Sequence, residues 1–151
     1  MSSHNRVHNK GTFSQEEYNA AEASIYPGML IALDSDNNVE IHDDEGGTLG
    51  DQTMFAMIDY LQGKTKDTVY TVDYLVFVII PNVGSVVNAL IEDGQDVSIG
   101  DKLCSAGNGK LKVTSDIESG ETLAKVVGIA MEDRDLTVSD SDDTISAVRI
   151  V

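Results

Sequence analysis

Tyr70 to Ile80 reads YTVDYLVFVII, and its density of β-branched and aromatic residues marks the clearest strand of the chain. Toward its end, alternation gives way to an unbroken apolar run, the pattern of a strand buried on both faces. Pro81, Asn82 and Gly84 then break it. On its C-terminal side Ser85 to Ile91 reads as a second strand, Asp93-Gly94 turns the chain toward Val97-Ser98-Ile99, and Gly100-Asp101 turns it again. Lys102 to Ser105 and Lys110 to Thr114 flank Gly107-Asn108-Gly109, a hairpin signal. Leu123 to Glu132 and Thr144 to Val151 supply two more strands, separated by the acidic loop Asp133 to Asp143.

The N-terminal side continues the same rhythm. Met29 to Leu33 and Val39 to Ile41 are short apolar or alternating runs on either side of Asp34-Ser35-Asp36-Asn37-Asn38, a natural hairpin turn. Thr53 to Leu61 places Met54, Met57, Ile58 and Leu61 at helical spacing, but its short length and the following Gly63 favour a strand. Ser14 to Ser24, SQEEYNAAEAS, predicts one short helix with Ser14 as N-cap and Glu16 and Glu17 in the first turn, ended by Pro27-Gly28. About nine strands at intervals of roughly 8 to 12 residues indicate a mainly β protein, a small closed barrel or sandwich. Closure has a physical motive, because open edges rich in Val and Ile invite aggregation. The expected division is an extended N-terminal arm over residues 1–26, including the short helix, and a β-barrel domain over 27–151.

The 151 residues carry 26 acidic and 10 basic side chains, a formal charge of −16. That argues against nucleic acid as a partner, since phosphate backbones are held by clustered Lys and Arg. The charge is unevenly divided. Residues 1–15 hold Arg6 and Lys10 with no acid, giving that stretch +2 and the rest of the chain −18. This stretch has only Met1, Val7 and Phe13 as sizeable apolar residues, too few to offset its ordering entropy alone. An unstructured tail and an attachment device that orders on a partner both fit it. No apolar run is long enough to span a bilayer, so no membrane is expected, and the polar N-terminus does not read as a signal peptide. One cysteine, Cys104, leaves no intrachain disulfide and suits a reducing cytoplasm.

Few constellations point to chemistry. Asp34, Asp36, Asn38 and Glu45 fall at positions 1, 3, 5 and 12 of a calcium-loop template, but Val39 stands where the sharp turn wants Gly. An acid-rich hairpin tip is the plainer reading. Cys104 and His42 are the only thiol and the only histidine outside the first ten residues. Nothing in their spacing sets up a nucleophile and base, and Cys104 reads as a small core residue. Phosphate loops, dinucleotide fingerprints and Gly-x-Ser-x-Gly elbows are missing, so neither an enzyme nor a cofactor is expected. Gly100-Asp101-Lys102-Leu103 and the following hairpin share the strand-turn rhythm of biotin- or lipoyl-carrying barrel-sandwich domains, with Lys110 as the candidate. Lys110 stands in Gly-Lys-Leu, however, without the Ala-Met-Lys-Met or Asp-Lys-Ala context of a carrier lysine.

A broader resemblance rests on residues 51–132. It is carried by Leu61-Gln62-Gly63-Lys64-Thr65, Asp67, Tyr70, Asp73 and Val76, then Pro81 and Gly84. Leu90, Gly94, Val97, Gly100, Asp101 and Leu103 follow, with Ser105 to Leu111 and Val127-Gly128-Ile129-Ala130-Met131-Glu132 after them. In order and spacing this stretch resembles the head decoration, or cement, proteins of tailed bacteriophages, the lambda-type β-tulip family. The resemblance implies a structural virion protein without an active site, made in the host cytoplasm. It implies a homotrimer on the outer capsid at three-fold or quasi-three-fold positions, stabilising the head against internal DNA pressure. It also implies an N-terminal arm lying on the major capsid protein: here Asn5, Arg6, Val7, His8, Asn9, Lys10, Gly11, Thr12 and Phe13. Extended backbone suits strand addition to a partner, and three arms on one trimer would bind as a unit. A tail or baseplate structural protein and a soluble barrel-sandwich binding or carrier module are the alternatives. The apolar runs Val76 to Ile80 and Val86 to Ile91 fill either a barrel or a subunit interface, which sequence does not divide.

Overall fold

A computed structural model describes residues 6–47, 52–116, 124–137 and 144–151. Thirteen strands lie in the described residues: β1 His8–Lys10, β2 Phe13–Asn19, β3 Leu30–Leu33, β4 Val39–Ile41, β5 Met54–Ala56, β6 Leu75–Pro81, β7 Val86–Ile91, β8 Asp96–Val97, β9 Lys102–Ser105, β10 Leu111–Val113, β11 Gly128–Ala130, β12 Arg134–Asp135 and β13 Thr144–Ile150. Two 3-10 turns, Tyr60–Gln62 and Thr114–Asp116, are the only helical elements among these residues. The fold is the small β-barrel expected.

Pairing runs β7–β10–β9–β11–β13, and β13 returns to β7 in register from Thr144 opposite Ile91 to Arg149 opposite Val86. This closes a five-stranded barrel. β1 adds to β7 beside β10, and β8 with β12 forms a small ribbon. A second sheet runs β2–β6–β5–β3–β4, and an isolated parallel bridge from Val39 to Ala20 brings β4 back to the end of β2.

The double burial of β6 explains its unbroken apolar run. On β5, Phe55 joins one core cluster with Val87, Leu103, Leu111 and Val148 of the barrel, whereas Met54 and Ala56 join a second cluster. β6 repeats the division, with Ile79 toward the first cluster and Val76 and Val78 toward the second. The second sheet therefore buries one face against the barrel and the other within its own curl. Gly128 is needed where β11 crosses β13: a Cβ there would lie 2.4 Å from Val148 Cγ1 and 2.7 Å from the Arg149 carbonyl oxygen.

Several expectations need correction. The short helix over 14–24 is absent, because β2 occupies its first half and pairs with β6 from Phe13–Pro81 to Asn19–Leu75. Intrinsic helix propensity is worth only tenths of a kcal/mol per residue, less than a seven-residue ladder onto a buried strand. Nor do the described residues of 1–26 stand apart from 27–151: β1 and β2 belong to the two sheets. Thr53 to Leu61 is strand only at β5. After it, the Asp59 side chain accepts a bond from Gln62 N–H at 3.2 Å, capping a 3-10 turn that Gly63 ends in the left-handed region. The strand of 70–80 starts only at Leu75, after Asp73 at φ 66°. Among the described residues of 123–132, which begin at 124, only β11 is strand.

Candidate interaction surface

Arg6 to Phe13, expected as a capsid-binding arm, lie on the protein's own barrel; Asn5 is outside the described residues. Val7 is fully buried, at 0% exposure, and belongs to the barrel core. Asn88 of β7 holds it there: its backbone N–H donates to the Val7 carbonyl at 2.7 Å and its side chain to the Arg6 carbonyl at 2.6 Å. The Asn9 amide in turn donates to the Asn88 side-chain oxygen at 3.1 Å. His8 and Lys10 pair with Val87 and Val86, and the His8 ring tilts onto Phe13 with centroids 4.1 Å apart. Gly11 takes φ 98°, and a Cβ there would meet Ser85 at 2.5–2.8 Å, so no other residue type fits this close approach. Thr12 closes the path: its N–H donates to Ser85 Oγ at 3.1 Å, and its carbonyl accepts from that hydroxyl at 2.8 Å. The inner side of this segment is bonded within the chain, while Arg6 and Lys10 remain exposed.

The residues considered for chemistry are placed as structure. His42 is buried with Nδ1 3.0 Å from Ser105 Oγ, and Ser105 Oγ also accepts from Gly107 N–H at 3.1 Å. Cys104, next to Ser105 in β9, projects to the opposite sheet face, so Cys104 and His42 form no dyad. The space beside His42 is only about 10 Å³. That is too small for a substrate. Lys112, buried in β10, pairs with Glu45. Asp34 is a turn device: its Oδ1 accepts from Asp36 and Asn38 N–H groups, both at 2.8 Å, and these bonds hold its carboxyl below the usual range. Glu45 is engaged with Lys112 and does not join Asp34 in a calcium loop. Among the described residues no cluster of three or more His, Cys, Asp or Glu could hold a metal ion. Lys110 is half-buried in the tight β9–β10 turn, its N–H donating to Asn108 Oδ1 at 3.2 Å.

A larger concavity lies elsewhere, a groove of about 630 Å³ between the start of β6 and the excursion 59–74. Tyr70 and Phe77 are the buried residues of its apolar lining. Leu61, Tyr74 and Leu75 also line it, yet are 85%, 63% and 51% exposed. The walls are fixed. The Tyr70 hydroxyl donates to the Met57 carbonyl, Tyr70 N–H to the Ile25 carbonyl at 2.8 Å, and Asp73 N–H to the Ala20 carbonyl at 3.0 Å. Glu17, Asp59 and Asp73 against Lys64 make the lining net acidic. Sequence reasoning missed this surface, although large apolar residues in the polar stretch LQGKTKDTVYTVDY were its signal.

These features define a β-barrel fused to a curled second sheet, with an acidic, apolar-walled groove on the latter. No family model matches the chain, and no curated protein does. Among solved structures, the N base of head fiber gp8.5 from bacteriophage phi29 has a similar fold, with a TM-score of 0.56 at 17% identity over 93% of this chain and 95% of that one. At that identity the likeness is one of fold.

Proposed function

We propose that this protein is a structural component of a bacteriophage head, bound to the outer surface of the expanded capsid as a decoration protein of the lambda-type β-tulip kind. The single observation that carries the reading is the nearly full-length fold likeness to a phage head fiber base. It converges with the independent resemblance of residues 51–132 to phage cement proteins. The role is mechanical: a small closed barrel, held to the major capsid protein at three-fold or quasi-three-fold positions, ties neighbouring shell subunits together against internal DNA pressure. A homotrimer suits that position, and three modest contacts made together hold far more tightly than one. No catalysis is assigned to it.

Cryo-electron microscopy of the particle tests the proposal directly. Barrel-sized density on the outer head, in groups of three, is the expected result. Density at the tail or baseplate would move the protein to another structural class. Failure to co-sediment with virions would remove it from the particle.

A further inference from the structure

We propose that the open edge of β2 and the groove beside it form a docking site for one extended segment of another protein, a segment that alternates aliphatic residues with Lys or Arg. The backbone pattern identifies which groups are available. Asn82 N–H donates to the Thr12 carbonyl at 3.0 Å and Ala20 N–H to the Tyr74 carbonyl at 2.8 Å. In the shared β2–β6 register these are hydrogen-bonded pairs, so Ser14, Glu16 and Tyr18 also point their backbone groups at β6. Phe13, Gln15, Glu17 and Asn19 then turn theirs outward. From Phe13 to Glu17 no other described strand pairs with that edge, whereas its far end, at Asn19, is met by β4 through the Val39–Ala20 bridge. The five residues from Phe13 to Glu17 offer roughly 17 Å of open edge.

The groove supplies what an edge lacks, which is side-chain selectivity. Glu17 and Leu75 both line it, so a strand laid along β2 would have every second side chain on the groove's face. Leu61, Tyr74 and Leu75 are exposed apolar walls for those side chains. Charge selects the occupant. Glu16 and Glu17 sit on β2, Asp59 and Asp73 line the groove, Lys64 is the one cation in that lining, and the chain carries −16 overall. A second copy is disfavoured, because antiparallel pairing of two β2 edges would set Glu16 and Glu17 against their own counterparts. Such self-pairing is also two-fold and cannot build a three-fold assembly. A basic, alternating strand meets neither obstacle. This chemistry stands without the capsid assignment, which would make the shell protein the source of the strand.

The test uses the full-length protein and a capped eight-residue peptide alternating Lys with Val, beside a Glu-for-Lys peptide and a Lys/Val peptide interrupted by Pro. Binding is read by calorimetry at physiological salt and located by amide chemical shifts. The alternating basic peptide should bind and shift amides of β2 and the groove, and the two controls should not. Tyr74→Ser with Leu75→Ser should weaken it at least tenfold. Gln15→Pro should do the same, since it deletes an outward N–H and spares the β6 ladder; melting curves like that of the parent confirm both variants fold. Equal binding by the variants, or by the Pro-interrupted peptide, would mean unspecific attraction to an acidic protein and overturn the proposal. A change in oligomeric state in the variants would make a second copy the occupant and overturn it as well. Peptide binding without capsid binding would leave the docking site and reject the head assignment; capsid binding without peptide binding would do the reverse.

Discussion

Asn88 and Tyr70 each join distant segments through one side chain, a role that the sequence discloses for neither. Asn88 interrupts the apolar run VVNALI of β7, and a buried amide in such a run signals a specific partner. That partner was the supposed arm, which sequence does not disclose because the bonds run to main-chain atoms of Arg6 and Val7. Tyr70 closes the groove floor by donating its hydroxyl to the Met57 carbonyl, and burial pushes its pKa well above the ordinary 10. The folded phenol thus keeps its proton where the unfolded one loses it. Its contribution to stability is complete below pH 10 and lost as pH rises above 10. Tyr70→Phe should cost about 1–3 kcal/mol at pH 8, from the orphaned carbonyl. The gap to the parent protein should then narrow by at most about 1.4 kcal/mol per pH unit above 10. Urea denaturation at pH 8 and pH 11 measures both; an unchanged gap at pH 11 would show that the folded phenol ionises normally.

At the level of elements, legibility followed how many faces a strand buries. β6 and β7 were read from their apolar runs, and the β3–β4 and β9–β10 hairpins from their turn residues, because burial and turn geometry act locally on residue choice. β2 was not. Its side chains are largely exposed, so its composition was free to favour a helix, and only pairing with β6 imposes the extended form. β1 was hidden for a similar reason, one buried residue, Val7, being too little pattern to read. The groove is made by the 59–74 excursion, whose path depends on caps and cross-sheet bonds rather than on periodicity. Residues 6–15 are therefore part of the folded body, and removing them takes away β1, Val7 and almost half of β2. A removable arm would leave melting unchanged. Deleting residues 1–15 is instead expected to expose the Val87 side of β7 and the edge of β6, lowering the melting temperature by more than 10 °C or causing aggregation. Differential scanning calorimetry of the truncated and full-length chains decides it.

For the whole molecule, the division of charge acquires a location. Arg6 and Lys10 are not on a tether but on the side of the barrel, exposed and held by the β1–β7 pairing. The acidic surface elsewhere repels itself across a compact body whose formal charge is −16. Such repulsion is largest in the folded state, where the charges are closest, and salt screens it over about 8 Å at physiological strength. Stability should therefore rise as sodium chloride goes from 10 to 300 mM. Attachment through the basic pair should move the opposite way: Arg6→Glu with Lys10→Glu keeps the backbone ladder but reverses its sign, and should weaken binding to expanded capsids at least tenfold at low salt and less at high salt. If the reversed pair binds as the parent does at every salt concentration, attachment does not run through β1. The acidic groove and the edge of β2 then remain the face on which a shell protein would sit.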